Sequence, residues 1–234
     1  ITSLGAVSDL IDEVHKYGGI VFHDIINMRH ARKAVGAGVD GLIAVGAGAG
    51  GHTGQANPFG LINEIKKEFD VTVLLSGSLS SGGDIAAAQT MGADFAYMGT
   101  RFIATEESLS QDDYKQMIVD AQASDIVLTD TITGVNASFI SQSLNAVGID
   151  IESLQDHGDV DINKELSEAR DSGSNEIRPW RDIWSAGQGV GTISSVEPAA
   201  SLVETLTQEY HARIAKQVEL GAHFAAFPHP LLER

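Results

Sequence analysis

The 234-residue chain contains no cysteine. Disulfides, thiolate metal sites and cysteine nucleophiles are therefore excluded, the redox compartment stays open, and a cytoplasmic location is the default expectation. Basic residues are also scarce: 15 Lys and Arg stand against 32 Asp and Glu, for a net charge of −17. A nucleic-acid partner needs clustered cations to displace phosphate counterions, so none is expected. No apolar run reaches the roughly 18 residues of a membrane span, so no membrane partner is expected either. The opening residues, Ile1 to Leu10, show no basic stretch leading into an apolar one, hence no visible signal peptide. They also lack an initiator methionine, and the start is expected to be trimmed, processed or left out. No H-E-x-x-H, paired histidines or acidic cluster suggests a metal. What is present is a 43% hydrophobic composition, enough to bury the core of one large domain, or of one domain carrying an insertion.

The first 115 residues alternate short apolar runs with amphipathic stretches. Ile20-Val21-Phe22, Leu42-Ile43-Ala44-Val45, Val71 to Leu75 and Phe95 to Met98 read as strands. Between them, Leu10, Ile11, Val14 and Tyr17 share a helical face after a Ser8 cap. Ile62, Ile65 and Phe69 share another after Pro58, and a third helix spans about Asp84 to Met91. Continuous apolar strands alternating with helices predict a parallel sheet covered on both faces. Each strand runs into a Gly-rich or polar turn, as on the active-site face of an α/β barrel, with an open doubly wound sheet as the competing reading.

Only four clear strands are legible, or five if Ile1-Thr2 ends one, where a (β/α)8 barrel needs eight. The edges beside Ile1-Thr2 and Phe95–Met98 are therefore expected to meet further polypeptide or a neighbouring chain. From about Ser124 the composition shifts to Asp, Ser, Asn and Gly, with short helical pieces at Phe139 to Val147 and Asn163 to Ala169. The expected organisation is a barrel portion at residues 1–115, an inserted lid at 116–190, and a returning helix (about Val196 to Leu220) with a tail at 191–234.

The strongest chemical signal is GVDGLIAVGAGAGGHTG at residues 38–54, a buried strand running into Gly46, Gly48, Gly50, Gly51 and Gly54 with His52 among them. Glycine lets backbone amides approach a ligand closely. A tight structural turn explains most such loops, but a histidine at a barrel-strand mouth has no evident packing role, so His52 is a candidate catalytic residue. A second signal is a pair of turns, Gly77-Ser78 and Gly99-Thr100, each following a strand. Neutral amides of this kind can hold a phosphate even in an acidic protein, although two ordinary βα turns would look the same. His23 and Asp24 read as a satisfied polar pair at a strand end or as substrate contacts. Arg101 reads as a phosphate contact or as the partner of Glu106 or Glu107. Trp180 and Trp184 read as lid packing, with substrate enclosure as the sharper alternative.

The segments AGGHTG, SGSLSSGGDIAAAQTMGADFAYMGTRFIATEES, DIVLTDTITG and IWSAGQGVG resemble, in order and approximate spacing, those of the nitronate monooxygenase (2-nitropropane dioxygenase) family, over nearly all of Ile1 to Leu220. The resemblance implies an FMN-dependent TIM (β/α)8 barrel, here lacking its first few βα units, with a helical subdomain inserted after strand 8. It implies that Gly77, Ser78, Gly99 and Thr100 cradle the FMN phosphate, that Gly50 and Gly51 bring backbone against the cofactor, and that His52 sits over the flavin as base. The implied partners are a small nitronate substrate and O2, and a homo-oligomer is compatible with the sequence. Many members carry Gln, Glu and Gly where this chain has Val45, Gly48 and Ser78, so the substrate range does not carry over. An FMN-dependent enoyl-(acyl-carrier-protein) reductase, which shares a similar GGH segment and uses NAD(P)H, is the alternative.

Overall fold

The computed structural model describes residues 1–151, 154 and 179–225. The predicted helix at Asn163 to Ala169 lies outside them. Four parallel strands, β1 (Phe22–Ile25), β2 (Gly41–Val45), β4 (Thr72–Ser76) and β5 (Phe95–Tyr97), form one sheet in the order β1-β2-β4-β5. The runs expected at 42–45, 71–75 and 95–98 are strands to within a residue, whereas the Ile20-Val21-Phe22 run meets β1 only at Phe22, the strand continuing to Ile25. Thr2 adds a single parallel bridge to His23, so Ile1-Thr2 does border the sheet.

Helices α1 (Ser8–His15), α2 (Met28–Gly36), α3 (Pro58–Glu68) and α4 (Gly82–Thr90) fill the intervals. The caps explain their starts. Asn27 accepts from the His30 amide, Asn57 from that of Phe59 ahead of Pro58, and Ser81 exchanges bonds with Asp84 in a capping box. Ser8 does not cap α1: the cap is Val7, whose side chain has nothing to offer the helix.

Strand alternation gives the sheet two different faces. Val21, Ile25, Leu42, Ala44, Val73 and Leu75 point toward the helices and form the main core with Ile11, Leu61, Ile62 and Ile65. On the opposite face the register aligns Asp24 with Ile43 and Leu74 with Phe95, and Phe95 remains 57% exposed. The sheet is an open arc: no closed barrel forms among the described residues, and its two edges do not pair with each other.

The segment after residue 115 departs from the expected helical lid. Past α5 (Thr100–Ile103) and α6 (Asp112–Asp120), strands β6 (Ile126–Thr129) and β7 (Ala137–Ile140) form an antiparallel pair, joined by the two-residue β3 (Gly51–His52) on the other side of β7. Phe139, expected to start a helix, lies fully buried in β7, and α7 (Ser141–Ala146) begins two residues later. The Ala-Ser-Phe-Ile run is buried throughout, so period-2 alternation was not there to be read.

The long helix α8 (Ala199–Ala225) lies across α4. Glu209 accepts from the Gly82 amide at 2.7 Å and the Tyr210 hydroxyl reaches Gln89 at 2.7 Å. The crossing point is Gly82, where a β-carbon would stand 2.1 Å from the Leu206 carbonyl oxygen and 2.4 Å from the Tyr210 nitrogen. Gly60, inside α3, faces open space. Gly82→Ala is therefore expected to destabilise the protein by about 1–3 kcal/mol through overpacking against backbone. Gly60→Ala is expected to stabilise it by about 0.5–1 kcal/mol through helix propensity. Urea unfolding of both variants checks the opposite signs.

Candidate functional site

Three segments remote in sequence meet at the carboxyl ends of β2, β4 and β5. The first is the loop after β2. Its start is tied down by the Gly46 amide donating to Ser76 O (2.9 Å) and the Ala47 amide to Ala56 O (2.8 Å). Its far end is held by buried Thr53, whose amide donates to Asn136 O (3.0 Å) and whose hydroxyl donates to Gly46 O (3.1 Å). Between these anchors His52 is fixed in β3, paired with Ala137 of β7. The second segment is the turn Gly77-Ser78 after β4, the third is residues 185–192, and the turn Gly99-Thr100 after β5 joins them.

Gly48 and Gly50 are where the segments touch. A β-carbon on Gly50 would stand 2.7 Å from the Gly187 nitrogen, and one on Gly187 would stand 2.8 Å from the Gly48 carbonyl oxygen. That same carbonyl accepts from the Gln188 amide at 2.8 Å, while the Gly187 amide donates to the Thr100 hydroxyl at 3.0 Å. Ser80 Oγ donates to Gly189 O at 2.8 Å and lies 2.7 Å from Thr192 Oγ1.

The result is a concavity of about 440 Å³ that brings together Gly50, Gly51, His52, Gly77, Ser78, Gly99 and Thr100. The candidate base His52 and the six residues expected to hold the cofactor all line it, whereas His23, Asp24, Arg101 and Trp184 do not. Ser185, Gly187, Gly189 and Trp180 complete the wall. For Ser185, Gly187 and Gly189 the glycine spacing of SAGQGVG was the signal, hidden because the segment also reads as a lead-in to a helix; Trp180 already stood as a candidate for substrate enclosure.

Among the described residues, no protein acceptor takes the N–H of Ser78 or of Thr100. Both are left without a protein acceptor, and Gly77 (φ +118°) and Ser78 (φ +58°) both take positive φ. These features fit a phosphate-bearing cofactor. Ser78 is the unusual one, since a residue with a β-carbon pays about 1–2 kcal/mol for that conformation.

His52 is half-buried, and burial holds its imidazole below the ordinary histidine range, with no charged group contributing. Its ring meets the Trp180 ring edge-on at 5.0 Å and 77°. The other sequence candidates are elsewhere. His23 faces the helices, buried, with Nδ1 2.7 Å from Thr2 Oγ1. Asp24 points to the other face, and one carboxylate oxygen is buried without a partner. Burial raises its pKa, offset in part by a bond to Ser3. The two do not form a pair. Arg101 contacts neither Glu106 nor Glu107. It is buried against Glu197, just before α8, and anchors that helix to the site's outer wall.

An open parallel α/β sheet with a glycine-lined, histidine-bearing concavity at its strand ends defines an α/β protein with a candidate ligand site at the carboxyl ends of its strands. The chain belongs to the nitronate monooxygenase family, whose model matches residues 1–209. It is 31% identical over 214 residues to a nitronate monooxygenase from Paraburkholderia phytofirmans, covering 86% of this chain and 57% of that one. The chain thus spans little more than half the length of that relative. Among solved structures it is similar to FabK from Thermotoga maritima (TM-score 0.73, 25% identity, 93% of this chain and 69% of that one). It is also similar to nitroalkane oxidase from Streptomyces ansochromogenes (TM-score 0.68, 25% identity, 92% and 63%).

The Gly48 contact generates a test of the turn. A β-carbon there would stand 2.1 Å from Ser78 Oγ and 2.8 Å from Gln188 Oε1. Gly48→Ala is expected to be destabilising, and Ser78→Gly on its own neutral to stabilising by about 1 kcal/mol. The double variant should recover part of the Gly48→Ala loss, a coupling of at least about 0.5 kcal/mol by urea unfolding. Additive effects would show that the two residues do not share this space.

Proposed function

We propose that the protein oxidises alkyl nitronates with O2 as an FMN-dependent enzyme of its family, and that His52 is the base that removes the α-proton when a neutral nitroalkane is the substrate. The observation that carries this reading is the meeting, in one concavity, of uncapped amides at Ser78 and Thr100 with a half-buried, uncharged histidine. FMN, when bound, supplies the electron acceptor, and O2 its reoxidation. The remaining roles fall to the chain. Gly77, Ser78, Gly99 and Thr100 hold the phosphate through neutral donors, which an acidic protein can use without adding cations. Gly50, packed bare against Gly187, and Gly51 line the concavity beside the cofactor. His52, kept neutral by burial, accepts the proton at a ring nitrogen.

Removing a positioned base costs roughly 10²–10⁴-fold. His52→Ala is expected to lower kcat/KM on a nitroalkane by at least about a hundredfold, and on the preformed nitronate far less. Equal losses on the two would remove His52 as base. The pH dependence has a definite sign. The imidazole must be neutral to act and its pKa lies below the ordinary value, so nitroalkane turnover should persist below about pH 6.5 and fall only as pH drops through the lowered value.

The likeness to FabK, no weaker than that to the nitroalkane oxidase, together with the GGH segment, favours a second reading, reduction of an enoyl thioester by NAD(P)H through FMN. Anaerobic mixing separates the two. Flavin bleaching by a nitronate supports the first, and bleaching by NADH alone supports the second. A protein that stays colourless with added FMN refutes both.

A further inference from the structure

A histidine that serves as base must present one nitrogen in a fixed direction, and the usual device is a hydrogen bond from its other nitrogen to a carboxylate or carbonyl. His52 has no such bond to any described residue. No charged side chain takes that role. In the β3–β7 ladder it pairs with Ala137, which does not titrate, and beyond Trp180 the Arg181 guanidinium is held by Asp182. Burial alone acts on its ionisation.

What does touch the imidazole is Trp180, perpendicular to it at 5.0 Å. The indole is in turn stacked on Phe139 at 5.3 Å and 28°. Phe139 is fully buried in β7, the strand whose backbone pairs with β3 and so with His52 itself. The three rings close a loop: His52 and Phe139 are joined through the β3–β7 ladder on one side and through Trp180 on the other. Trp180 reaches this place with φ +71°, in the left-handed region where a bulky side chain is strained, and it remains 41% exposed. Strain kept at a half-exposed aromatic on a cavity wall is a mark of a residue held for its position.

We propose that Trp180 is the positioning residue of His52: the indole, braced on Phe139, fixes the plane of the imidazole and shields one side of it from water. The kinetic consequence rests on the reading of His52 as base, but the positioning itself does not.

The test therefore has two arms on the full protein. In the first, the imidazole C–H resonance of His52, assigned by its absence in His52→Gln, is followed by NMR against pH in wild type, Trp180→Phe and Trp180→Ala. The expected result is a midpoint below about 6.5 in wild type, a rise toward that value in Trp180→Ala, and a Trp180→Phe midpoint near wild type because an aromatic ring is retained. In the second, kcat on a nitroalkane should fall about ten- to a hundredfold in Trp180→Ala with KM changed less, and Trp180→Phe should restore most of it. Should Trp180→Ala fail to fold by thermal unfolding, Trp180→Leu takes its place in both arms. An unchanged His52 titration in the aliphatic variant, or a Trp180→Phe as impaired as that variant, overturns the proposal. A wild-type protein with no turnover of nitronate or nitroalkane overturns the proposed activity instead, and the NMR arm still decides the role of Trp180.

Discussion

The site depends on backbone packed directly against backbone where Gly48 and Gly50 meet Gly187. No side chain fits between these strands of chain. The contact is secured by hydrogen bonds from Gln188 to the Gly48 carbonyl and from Gly187 to the Thr100 hydroxyl. It joins a loop after β2, a turn after β5 and a segment well over a hundred residues downstream of the first. These walls of the concavity are thereby positioned by one another, and a methyl group at the junction would part them.

An acidic protein that is to hold a phosphate faces repulsion from its own charge of −17. In the proposed cofactor site the answer is local rather than global. The groups offered are neutral amides at Ser78 and Thr100, and the one cation nearby in sequence, Arg101, is turned away into a buried pair with Glu197. That pair serves the fold. Together with the Ala199 amide bonded to Glu107, it fixes where α8 begins and so how that helix meets α4 at Gly82. The same economy of charge surrounds His52, whose ionisation is governed by burial and whose neighbours are aromatic.

The sheet has one face covered along its whole width and a second that is buried at Ile43 but exposed at β5. Helices cover the first with a continuous aliphatic core, while Phe95 stands exposed on the second, and the chain spans 57% of a curated relative's length. The site lies at the strand ends.

Much of this was legible in the sequence because the signals were local. Apolar runs bounded by glycine marked β1, β2, β4 and β5, Pro58 marked the start of α3, and glycine clusters beside a lone histidine marked the residues that line the concavity. What was not legible depended on partners distant in the chain. Nothing near Phe139 distinguishes a buried strand from a buried helix, and only pairing with β3 and β6 made it a strand. Arg101 sits beside Glu106 and Glu107 in sequence, yet packing placed it against Glu197, 96 residues on. Trp180 carries no sign that it will lie across His52, because that contact exists only once β7 has brought Phe139 beneath it. Local backbone preference is written residue by residue, whereas a contact between surfaces is decided by the fold that assembles them.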